Sequence, residues 1–84
     1  MDAEDVKKLL TKQPFQPLRL HLFDGSRVEI VHPELAVLYR FRLVVNIRGH
    51  DPVIMEDDIH ISLMHIVKAE HFKIGKQKTN GKRG

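Results

Sequence analysis

Cysteine is absent from the 84 residues. Its absence removes disulfide staples, thiol nucleophiles and every cysteine-ligated zinc site, and it fits a reducing compartment. Long apolar runs are missing as well. A membrane-spanning helix needs about 18–20 consecutive apolar residues, and the best stretch, 35–45, is broken by Arg40 and Arg42. The first residues, Met1-Asp2-Ala3-Glu4-Asp5, are acidic and lack the basic, then apolar, start of a secretory signal. We therefore expect a cytoplasmic protein with no membrane contact. Serine is scarce: Ser26 and Ser62 are the only two, and neither lies in a G-x-S-x-G elbow. Neither a P-loop nor a G-x-G-x-x-G is present. A chain this short also has little room for a substrate pocket. The expectation is a protein that is not an enzyme and uses no cofactor.

Acid is lacking at one end only. Residues 73–84 carry Lys73, Lys76, Lys78, Lys82 and Arg83 with no Asp or Glu, whereas residues 1–72 hold nine Lys and Arg against eleven Asp and Glu. The formal charge of +3 is thus a property of the tail. From Gly75 onward no apolar residue occurs, so this segment has nothing to bury against its ordering entropy. We expect one folded domain over 1–72 and a disordered basic tail over 73–84. A domain of this size buries only roughly 60% of the surface its unfolded chain exposes, so its core is thin.

Residues 2–12 read as a short helix. Val6, Leu9 and Leu10 lie on one face, Asp2 is the N-cap, Glu4 and Asp5 sit at the positive end of the dipole, and Lys7, Lys8 and Lys12 lie toward the negative end. Pro14 stops it. Leu18, Leu20 and Leu22 then alternate with Arg19, His21 and Phe23, the pattern of a half-buried strand. Asp24-Gly25 is a hairpin signal, and Arg27 to Val31 returns as a second strand. His32-Pro33-Glu34 interrupts the ladder. Leu35 to Tyr39 and Leu43 to Ile47 are two further strands, with Arg40-Phe41-Arg42 either a turn or a continuation. Arg48 to Pro52 is a turn. Val53-Ile54-Met55 reads as a strand that ends at Glu56-Asp57-Asp58. Residues 59–69 fit a helix face or a strand; a short turn and a closing strand from Ile66 to Phe72 is preferred, because it covers an edge.

The expected fold is α+β: one N-terminal helix on a small, strongly bent antiparallel sheet of about five strands. The expected core is Val6, Leu9, Leu10, Phe15, Leu18, Leu20, Leu22, Val28, Ile30, Val37, Val45, Ile47, Ile54, Leu63 and Ile66.

The run from Gln13-Pro14-Phe15-Gln16-Pro17 through Leu18 to Asp24-Gly25, with His32-Pro33-Glu34 after it, resembles a family of small uncharacterised bacterial proteins. Those proteins share a helix, a "QPFxP" joint, a strand, a "DG" turn, a strand ending in "HPE" and a β meander. The resemblance spans roughly residues 4–70, implies the fold above and transfers no functional residue. A partial resemblance to Sm-like RNA-binding barrels rests on the helix-first order, Asp24-Gly25 and Asn46-Ile47-Arg48-Gly49. It implies an SH3-like or Sm-like shape. Some twenty further residues follow Arg48-Gly49, too many for the usual single closing strand, and the glycine normally found shortly after the "DG" is replaced by Val31-His32.

Candidate chemistry is sparse. On a strand, Arg40 and Arg42 would share one face, ready for phosphate, with a ring such as Phe23 stacking a base. Arg48 and the tail cations Lys76, Lys78, Lys82 and Arg83 add to this nucleic-acid reading, and their contribution would fall with salt. Six histidines are present. Glu56, Asp58 and His60 would share a strand face and are weak candidates for a metal, against the plainer reading of solvated polar positions. The leading expectation is a non-enzymatic interaction module whose partner is either an unknown protein or a second copy, joined through an exposed sheet edge. The alternative is an RNA-binding module that uses the tail and the three arginines.

Overall fold

The computed structural model describes residues 1–74. It opens with helix α1, Ala3–Leu10. The Asp2 carboxylate accepts from the Asp5 amide at 2.9 Å, and the Asp5 carboxylate accepts from the Asp2 amide at 3.1 Å. This capping box satisfies two amides that the helix cannot pair itself. The Asp5 amide is also the main reason the Asp2 carboxyl sits below its ordinary value. At the other end Thr11 donates its hydroxyl to the Lys7 carbonyl at 2.7 Å, and a cis Gln13–Pro14 peptide follows.

Strands β1, Leu18–Leu22, and β2, Arg27–Ile30, form the first hairpin. Its turn needs Gly25, which has φ +89°, a region costly for any residue with a Cβ. Asp24 holds the turn by accepting from the Ser26 amide at 2.9 Å and the Ser26 hydroxyl at 2.6 Å. A 3-10 turn, Pro33–Leu35, then leads out of this hairpin. Strands β3, Ala36–Leu38, β4, Arg42–Arg48, and β5, Met55–Ser62, make an antiparallel meander. A second 3-10 turn, Leu63–His65, brings the chain back as β6, Ile66–His71, against the free side of β1.

The result is α+β, but among the described residues it has six strands in two three-stranded sheets, β2-β1-β6 and β3-β4-β5, rather than one sheet of about five. The break falls at His32-Pro33-Glu34, where proline removes a ladder donor. The strand expected over Val53-Ile54-Met55 is also displaced. Residues 49–54 form the β4–β5 loop, and β5 runs through Glu56-Asp57-Asp58. An edge strand tolerates three acids because they stay in water. The closing strand β6 stands where expected.

The inner faces of the two sheets meet in one core. Leu18, Leu20 and Ile30 come from the first sheet, Leu43, Val45 and Ile61 from the second, with Val6, Leu63 and Ile66 closing the ends. Leu43 and Ile61 were not foreseen. Val37, Ile47 and Ile54, expected inside, are exposed. Val37 stands opposite Val44 and therefore on the face of the second sheet away from Leu43 and Val45. Ile54 lies in the loop. Among the described residues no helix is long and apolar enough to cross a membrane.

Candidate functional site

The Leu63–His65 turn ties the two sheets together at one corner. The Phe23 amide, just past β1, donates to the His65 carbonyl at 2.9 Å, and the Leu63 amide donates to the Phe41 carbonyl at 3.1 Å. Both neighbouring hairpin tips are thereby fixed to the turn. Three large side chains are left in solvent there: Phe23 is 67%, Phe41 80% and Met64 87% exposed. Phe23 lies against His65, ring centroids 4.5 Å apart. Beside the turn, Met1, Phe41, Leu63 and Met64 wall a cleft of about 430 Å³, with Glu4 and Arg40 among its polar lining. The N-terminal ammonium reaches the Leu63 carbonyl at 3.4 Å. A cleft of this size exceeds what the length of the chain led us to expect.

The three arginines do not assemble. The Tyr39 amide donates to the Arg42 carbonyl at 2.8 Å, so Arg40 and Phe41 are the tip of a tight turn and not strand residues. Of the two readings left open for Arg40-Phe41-Arg42 the turn is the one observed, so Arg40 and Arg42 do not share a strand face. Arg40 turns toward the α1 cleft, and the Arg42 guanidinium lies over the Tyr39 ring at 4.2 Å. Arg48 stands six residues farther along β4, about 20 Å away along an extended strand, with Glu34 at 3.9 Å. Phe23 is engaged by His65 rather than placed beside an arginine. Lys76, Lys78, Lys82 and Arg83, and the expected tail as a whole beyond Ile74, lie outside the described residues.

Of the three metal candidates, His60 and Asp58 meet at 3.1 Å on the exposed side of β5. The Glu56 side chain packs over Gly49, in the space a Cβ there would need. Among the described residues no group of three or more His, Asp or Glu side chains converges as a metal site would require.

Sequence reasoning missed a polar network on the outer face of the first sheet. Arg19 pairs with Glu29 at 2.8 Å and lies over the Phe72 ring at 4.6 Å. His21 hydrogen-bonds Glu70 across β1 and β6. The Arg19–Glu29 half depends on the length of the turn: a two-residue turn at Asp24-Gly25 would set Arg19 opposite Ile30, whereas the observed turn closes Leu22 on Ser26 over three residues and sets Arg19 opposite Glu29. The His21–Glu70 half depends on a strand pairing that no local signal announces. The His21 hydrogen bond is the largest cause of a lowered Glu70 pKa, with Lys68 assisting. Glu70 thus contributes stability that is fully present above its ordinary value of 4.5 and lost as pH falls through the lower folded value. His21→Leu is expected to raise the Glu70 carboxyl pKa toward 4.5 and so to remove most of Glu70's share of the acid loss of stability, because folded and unfolded values then nearly coincide. An NMR titration of the Glu70 side chain checks this, and an unchanged midpoint would remove His21 as the cause.

In comparisons with family models, curated proteins and solved structures, nothing matches the chain.

Proposed function

We propose that the protein is a non-enzymatic interaction module that buries apolar surface against another protein chain. The corner formed by Phe23, Phe41 and Met64 carries this reading. Single exposed apolar residues are ordinary, but a group of them held on one corner by backbone hydrogen bonds is the kind of patch that marks a contact surface. Methionine beside aromatic rings suits such a surface, since its flexible thioether adapts to a partner. We read the shape as related to small SH3-like or Sm-like barrels, supported by the helix-first order and the small antiparallel sheets.

The test compares the wild-type chain with Phe41→Ser/Met64→Ser, two largely exposed positions outside the buried core. Association through this corner is expected to persist from low to high salt and to fall at least about tenfold in the double variant. A wild-type chain that neither self-associates nor holds any protein partner would end the reading.

The Tyr39–Arg42 stack favours a second reading, in which a base lies on the ring–guanidinium platform and phosphates meet the tail. The full chain and a 1–72 truncation would be titrated with single-stranded RNA and duplex DNA at low and moderate salt. Binding that salt abolishes supports this reading, and the truncation shows whether tail or body carries it. No binding by either species at low salt ends it.

A further inference from the structure

The strand edges offer more than the apolar corner. Among the described residues the edge strands are β2, β3, β5 and β6, and β5 is the longest of them, at eight residues against four, three and six. It contains no proline, and Met55 through Asp58 and His60 are exposed. The Leu63 amide bonds to the Phe41 carbonyl, in register with the Leu43↔Ile61 pair. Backbone groups along a strand alternate in direction. Ile61 and Ile59 therefore address β4, while Asp58 and His60 turn their N–H and C=O groups outward. The Asp58 amide fits this, since its acceptor is not β4 but the carboxylate of its own neighbour Asp57, at 2.8 Å.

We infer that a second copy of this chain adds to the β5 edge, antiparallel, across a two-fold axis at Ile59. This rests on the reading of the protein as an interaction module. A two-fold pairing must set outward residues opposite outward residues, which leaves few registers. An axis at Asp58 would oppose Asp58 to its own copy, and like charges directly opposite are destabilising. An axis at His60 would oppose the two histidines and set Asp58 opposite Ser62, with no imidazole to bond. The axis at Ile59 opposes Asp58 of each copy to His60 of the other. The Asp58–His60 contact within one chain then becomes a four-membered cluster in which carboxylates and imidazoles alternate. About four new backbone hydrogen bonds form, the Ile59 side chains meet on the inner face, and the two meanders become one six-stranded sheet. Asp57 must release the Asp58 amide for this to happen. The contact is small, so the dimer is a weak one, populated at about 0.1–1 mM protein.

The test is sedimentation equilibrium of the full chain up to about 1 mM. The wild type is expected to approach twice its mass of 9.8 kDa. Asp58→Lys sets a cation against His60 of the other copy, and self-association should weaken at least about tenfold. Asp58→Lys/His60→Asp exchanges the pair and should restore it. His60→Pro removes an outward amide that β4 does not use, so the variant should fold, by circular dichroism, and stay monomeric. A wild type that is monomeric at 1 mM overturns the proposal, and a folded exchange variant that stays monomeric overturns the register. A dimer indifferent to Asp58→Lys and His60→Pro but lost in Phe41→Ser/Met64→Ser overturns the edge while leaving the interaction module standing.

Discussion

Leu43→Ala is expected to remove about 2–5 kcal/mol of stability, the range for deleting most of a buried leucine. A chain of this length has about 4–13 kcal/mol in all, so the variant sits near or past half of its reserve. Leu43 is wholly buried, at 0% exposure. It lies on the middle strand of the second sheet, between Leu38 on β3 and Ile61 on β5. Ladders on both sides hold the surrounding backbone, so the cavity cannot close by a shift of one strand, and the cost belongs at the upper part of the range. Ile54→Ala is the companion measurement. Ile54 is 61% exposed in the β4–β5 loop, and its change should stay within about 0.5 kcal/mol. Urea denaturation of both reads the difference directly. A lowered midpoint for Ile54→Ala with none for Leu43→Ala would mean that the strand register is wrong.

That pair of residues also shows where local sequence signals end. The front of the chain is legible because each step has its own chemistry. Asp2 caps, Val6 marks the buried face of α1, Asp24-Gly25 makes the turn, and Leu18, Leu20 and Leu22 alternate inward. The back is not. Val53-Ile54-Met55 has the composition of a strand, yet most of it lies in a loop, because β propensity describes fit to a half-buried surface that the rest of the fold must supply. β5 instead runs through three acids, made acceptable by the solvent on its free edge. The Arg40-Phe41 turn carries none of the usual Gly, Asn, Asp or Pro signals, so the facing of Arg40 and Arg42 could not be read. The apolar corner gathers Phe23, Phe41 and Met64 from three separate stretches, and His21 finds Glu70 at a separation of 49 residues. Such juxtapositions follow from the pairing of β1 with β6, which is a tertiary event.

Val6→Asp is expected to detach α1 or unfold the chain. The helix has eight residues, and isolated helices shorter than about 12–15 residues are marginal in water. Its capping box and dipole charges help only at the ends. What holds it is one buried side chain, Val6, at 1% exposure, with Ala3, Leu9 and Leu10 packed at the margin. Val6→Ala removes two methyl groups and should cost about 1.5 kcal/mol. Val6→Asp puts a carboxylate among Leu, Ile and Val side chains with no buried cation beside it, since among the described residues no polar or charged residue is buried. The penalty for burying a charge unpaired is several kcal/mol, so the helix leaves before the charge enters. Circular dichroism should then lose its helical component, and proteolysis should cut the joint between α1 and β1, residues 11–17. If the sheets keep their own thermal transition after that loss, α1 is an appendage of the core. If the transition disappears with it, Val6 is part of the minimum that lets two small sheets fold. The cleft separates these cases a second way. Met1 and Glu4 line it from the helix side, so a detached helix opens Leu63 to solvent and dye binding at the corner should rise.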